Sequence, residues 1–100
     1  MIYYNVTIII DPEVESDWID WMKNVHIPDV MATGCFISNN FCRLLSVEPE
    51  QGLTYSIQYR CKDMESFEHY KTNFAPALQA DHQERFMDRF IGFRSLMEDA

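Results

Sequence analysis

The side chains with chemistry to offer in this sequence are two histidines, His26 and His82, each set among apolar and aromatic residues. An imidazole titrates near working pH, so either ring could act as a general base or acid. Trp18, Met22 and His26 recur every four residues, which on a helix stacks them on one stripe, widened by Trp21 and Val25. Ile27-Pro28 should end that helix, because the residue before proline is pushed out of the α region. His26 would then stand at a helix C-terminus, where an imidazole can also serve simply to cap free carbonyls. His82 falls on the stripe of Leu78 and Phe86, with Asp81 beside it and Arg85 one turn on. If both helices cover the same sheet face, the rings approach one another. A cleft holding them with Trp18, Trp21, Met22, Asp81 and Arg85 would suit a small anionic or aromatic ligand. Two independent core or boundary histidines are the plainer alternative.

Other chemistries find less support. Zinc wants tetrahedral nitrogen and sulfur, and the chain offers no HxH, HExxH or paired-Cys spacing; no metal or cofactor is expected. His69 is expected on an exposed helix face. Only Gly34, Gly52 and Gly92 are present, so no Gly-rich phosphate loop exists. Eight basic residues against sixteen acids, a formal charge of −8, weigh against nucleic acid and anionic membranes. Three cysteines without a CxxC favour reduced thiols in the cytoplasm, and no secretory leader or apolar run of membrane-spanning length is evident. Cys61 reads as a small apolar filler; Cys35 and Cys42, seven apart, would face opposite ways on a regular strand.

The elements that must position the histidines follow from periodicity. Residues 1–10 alternate as a strand, with Ile2, Tyr4, Val6, Ile8 and Ile10 toward the helices and Tyr3, Asn5, Thr7 and Ile9 away. Asp11-Pro12-Glu13 opens a helix over about residues 13–26, with Val14, Trp18, Trp21, Met22 and Val25 buried. Residues 28–34 connect, with room for a helical turn at Asp29-Val30-Met31. A less regular strand over 35–47, bulged near Asn39-Asn40, forms a hairpin with the clean strand 53–61 through the turn 48–52. Asp63 caps a second helical region carrying Met64, Phe67, Tyr70 and Phe74, which Pro76 splits by opening a new segment. A last strand spans 91–98.

This order, β-α-β-β-α-β, defines an α+β fold in one domain over residues 1–100. Right-handed crossovers make it ferredoxin-like: a four-stranded antiparallel sheet with helices on one face. The bare face, with Tyr3, Asn5, Thr7, Ile9, Thr54, Ser56, Gln58 and Arg60, is neither dry core nor fully charged surface. A second copy packed sheet against sheet would cover it, so a homodimer through this face is expected. Arg60 and Arg94, if both lie there, would pair with acids across the interface.

The stretches IYYNVTIIIDPEVESDWIDWMKNVHIPDVMATGCF, TYSIQYRCKDMESFEHY and APALQADHQERFMDRFIGFRSLME carry W-x3-M-x3-H-x-P and A-x-x-DH-x-x-RF patterns. Over nearly the whole chain they resemble a group of small bacterial proteins known only as a domain of unknown function. That group is similar to the dimeric α/β-barrel class, whose relatives include antibiotic-biosynthesis-type monooxygenases, haem-degrading enzymes and stress-responsive barrels. The resemblance implies the fold and the dimer and transfers no reaction. Two readings therefore stand. One is a dimeric protein binding a small molecule or a protein partner. The other is an oxygenase-like enzyme, monooxygenase or haem-linked, working in a helix-covered cleft with His26 and His82 as acid and base.

Overall fold

The computed structural model describes residues 1–47 and 53–100; the expected turn over 48–52 lies outside the described residues. The sheet is built on β1 (Ile2–Ile10), whose alternating side chains let it pair along its whole length on both sides. One neighbour is β3 (Leu53–Cys61), the other β4 (Phe90–Glu98), and β2 (Ser38–Arg43) adds to the outer edge of β3. All pairs are antiparallel, in the order β2-β3-β1-β4. This is the ferredoxin-like α+β arrangement.

Asp11 caps the first helical region as its sequence requires, its carboxylate accepting the Glu13 N–H at 2.9 Å. Pro12–Val14 form a 3₁₀ turn, and α1 (Glu15–Trp21) follows. The helix does not stop at Ile27-Pro28. It widens into a π turn over Met22–His26, in which the Ile27 N–H reaches back five residues to the Met22 carbonyl, and continues as α2 (Ile27–Ala32). Pro28 sits in the first turn of α2, where its missing N–H costs little. Two expectations are corrected by this turn. His26 is not at a helix terminus, so it caps nothing. Val25 is 42% exposed rather than buried, because the extra residue rotates the inward face on to Ile27 and Val30.

The strand expected over 35–47 is shorter: residues 35–37 and 44–47 do not join it, and the register through Asn39 and Asn40 runs unbroken, so the expected bulge is absent. Asp63 caps α3 (Met64–Asn73) by accepting the Ser66 N–H at 2.8 Å. A break at Phe74, with Pro76 in the following first turn, starts α4 (Ala75–Arg85). The split at Pro76 is thus as expected. The core lies between sheet and helices in two aromatic groups. Tyr4, Phe36, Tyr59, Phe67 and Tyr70 pack at one end; Trp18, Phe41, Tyr55 and His82 pack at the other.

Register also settles which way each strand residue points. Arg60 lies opposite Tyr3 on the open face, as expected. Arg94 lies opposite Val6, so it shares the helix-facing side with Phe90, Gly92 and Leu96, contrary to its expected place beside Arg60. The pairing Ile10↔Phe90 forces this, and it sends Ile91, Phe93 and Met97 to the open face. No helix among the described residues is long and apolar enough to cross a membrane.

Candidate functional site

Between α4 and the sheet lies a cavity of about 540 Å³, within the ~300–1,000 Å³ common for small-molecule sites. Its apolar wall includes Val6, Ile8, Ile57, Met22, Val30, Leu78 and Phe90. Its polar groups include Tyr4, Tyr59, Tyr70, Gln79, Gln83, Arg94 and both histidines. A second cavity of about 440 Å³ shares Tyr4, Tyr70, Pro76, Gln79 and Arg94 with the first.

His26 and His82 do come together: their ring centroids are 5.7 Å apart at an edge-on 63°. The π turn presents His26, which stacks on Trp21 at 5.0 Å, and α4 presents His82. Trp18 is wholly buried and its indole Nε1–H donates to His82 Nε2 at 2.9 Å. An indole can only donate, so Nε2 must carry a lone pair, and a neutral ring then holds its proton on Nδ1. Burial, then the neighbouring His26 and Arg94 charges, lower the His82 pKa to about 4. His82 is therefore a fixed neutral hydrogen-bond donor, with Nδ1 free of any protein partner among the described residues. That removes it as a general base. His26 is also held below the ordinary histidine range, chiefly by burial, with Asp29 and Asp81 partly opposing. It keeps one uncommitted lone pair and is the ring able to accept a proton.

The other expected site residues are distributed differently. Met22 lines the cavity. Trp18 and Trp21 stand behind the histidines and orient them rather than facing the cavity. Asp81 is exposed and acts on His26 only through its charge. Arg85 is exposed on the far side, its guanidinium 5.6 Å above the Trp21 ring, bordering an outer groove with Asp17 and Asp20. The residues that sequence reasoning passed over are Tyr4, Gln79 and Arg94. Burial raises the Tyr4 pKa while Arg94 and Gln79 beside it pull the other way, which keeps the hydroxyl protonated and able to donate. Correct strand register was the signal that could have found Arg94.

A haem iron needs an imidazole nitrogen with a free lone pair, and Trp18 already occupies that of His82; this ring does not fit as an axial ligand. Among the described residues, no three His, Cys, Asp or Glu side chains cluster as a metal site would require.

The sheet order and the covered face define a ferredoxin-like fold. The chain belongs to the family described as a domain of unknown function (DUF4286), whose model matches residues 1–100. No curated protein matches it by sequence. Among solved structures it is similar to an ethyl tert-butyl ether d (ethd) family protein from Bacillus halodurans, with TM-score 0.70, 14% identity and 100% of each chain covered. It is similar to a dimeric ferredoxin-like protein from an uncultured marine organism, with TM-score 0.73 and 8% identity over 100% of this chain and 95% of that one. It is also similar to SnoaB, a cofactor-independent oxygenase from Streptomyces nogalater, with TM-score 0.65 and 10% identity over 98% and 91% of the two chains. At these identities the likeness concerns the fold.

Proposed function

We propose that this chain binds a small aromatic molecule in the cavity beneath α4 and does so as a homodimer in the cytoplasm. The observation that carries the binding reading is the convergence of His26 and His82, 5.7 Å apart, on a cavity of about 540 Å³. Dense packing around two isolated rings would have left nothing to bind. The π turn supports the same reading, since such turns gather at functional sites and this one presents His26. The dimer reading rests on the open face. Ile91, Phe93 and Met97 are 61%, 56% and 41% exposed there, beside half-buried Tyr3 and Ile9. Its polar groups are already partly satisfied, as Ser56 donates to Asn5 and Asn5 to Thr7, so a second copy could cover the face without stranding them. Three free thiols, Cys35, Cys42 and Cys61, accord with a reducing compartment.

A specific observation favours a second reading, an oxygenase-like enzyme. A base with a spare lone pair (His26) stands beside a fixed donor (the His82 Nδ1–H) on one cavity. In that reading His26 takes a hydroxyl proton from an aromatic substrate, the resulting oxyanion accepts the His82 Nδ1–H, and dioxygen serves as oxidant.

Heteronuclear NMR with a library of one- and two-ring aromatics tests the binding site. Shifts should cluster on His26, His82 and Gly92. Shifts confined to the open face, or none at millimolar ligand, would remove the reading. Oxygen uptake with any binder then separates enzyme from binding protein.

A further inference from the structure

We infer that the ligand is an aryl carboxylic acid whose carboxylate seats on Arg94 and Tyr4 while its ring lies toward His26 and His82. The inference rests on the cavity reading above and adds the ligand's charge and polarity.

The first support is electrostatic. The chain carries sixteen carboxylates against eight Lys and Arg, yet none of the described carboxylates lines either of the two adjoining cavities. Arg94, common to both, and Lys71, on the second, are their cationic residues. The salt bridges of the described residues are made by Arg89 and the N-terminus; Arg94 enters none. Among the described residues Arg94 shares that freedom with every basic side chain but Arg89; what suits it to an anion from outside is its place on both of the cavities that carboxylates do not line. A planar guanidinium matches a carboxylate bidentately.

The second support is the hydrogen-bond inventory. The Tyr4 hydroxyl, the His82 Nδ1–H and the Arg94 guanidinium can all donate; His26, Gln79 and Gln83 add groups that can also accept, so it is the Arg94–Tyr4 end of the cavity that offers an anion its donors. Tyr59, Tyr70 and Phe90 stand in the wall among aliphatic side chains and offer ring faces and edges against which a flat ring can pack.

The test compares 2-naphthoate with 2-naphthamide, alike in shape and different in charge, by calorimetric titration of the full chain. Wild type should prefer the carboxylate at least roughly tenfold, as a charge-assisted bidentate contact implies. Arg94→Gln should erase that preference, and Arg60→Gln, on the open face, should leave it intact. Equal binding of acid and amide to wild type would overturn the carboxylate inference while leaving the cavity reading standing. A preference that persists in Arg94→Gln, or vanishes in Arg60→Gln, would place the anion elsewhere and also overturn it. Binding of neither probe at millimolar concentration would remove the cavity reading and this inference together.

Discussion

Acid should destabilise this protein through His82 well before its carboxylates titrate. The ring has an ordinary pKa near 6.5 when unfolded and about 4 in the fold, because burial and the nearby His26 and Arg94 charges oppose its protonation. Below pH 6.5 the unfolded chain takes up a proton that the folded ring refuses. Stability is therefore intact above about 6.5 and falls as the pH drops toward 4. The full gap is worth on the order of 3 kcal/mol, of which about 2 kcal/mol is lost by pH 5. The ring is only 7% exposed, so solvent screening takes little from this figure. Protonation also turns Nε2 into a donor facing the Trp18 Nε1–H, which breaks the 2.9 Å bond. The control is His82→Gln, whose amide oxygen can still accept from Trp18 and does not titrate. Urea unfolding at pH 7.5 and pH 5, at one protein concentration, should show wild type losing about 2 kcal/mol more than His82→Gln. Superimposable pH dependences would mean that His82 is not held neutral, and the assignment of its tautomer would fail with it.

Trp18→Phe keeps most of the buried ring but removes the N–H, leaving His82 Nε2 without its donor; a loss of about 1–3 kcal/mol in urea unfolding is expected. Gly92→Ala places a methyl 2.9 Å from Ile8 Cδ1, the movable end of a side chain, so the fold should survive at a cost of roughly 1 kcal/mol. Because Gly92 lines the cavity, the same variant should bind aromatic ligands several-fold more weakly by calorimetry. Phe93→Asp puts a charge in the exposed apolar band of the open face and should shift sedimentation from dimer to monomer; an unchanged dimer would place the interface elsewhere.

The strands and helices were legible because their periodicities are strong: β1 and β3 alternate cleanly, and Asp11, Asp63 and Pro76 mark helix starts by local chemistry alone. The meeting of His26 with His82 was legible too, given two helices on one sheet face. The π turn was not. Proline normally ends a helix, and only the packing of Met22, Ile27 and Val30 against the sheet makes a widened turn the better answer. Arg94 was misplaced for a related reason. Ile91, Phe93 and Met97 look like a core-facing set, but register with β1 gives the helix side to Phe90, Gly92 and Arg94. Apolar residues on an open face carry the same pattern as apolar residues in a core, so alternation alone cannot tell them apart.

The most direct measurement on the central claim, that Trp18 fixes His82 as a neutral donor beside His26 on one cavity, is a pH titration of the histidine ring nitrogens by long-range ¹H–¹⁵N NMR. His82 should be protonated at Nδ1 through neutral pH and titrate near 4, below His26, whose charge adds to the cost of protonating it. A His82 ring protonated at Nε2, or two histidines titrating independently near 6.5, would contradict the account.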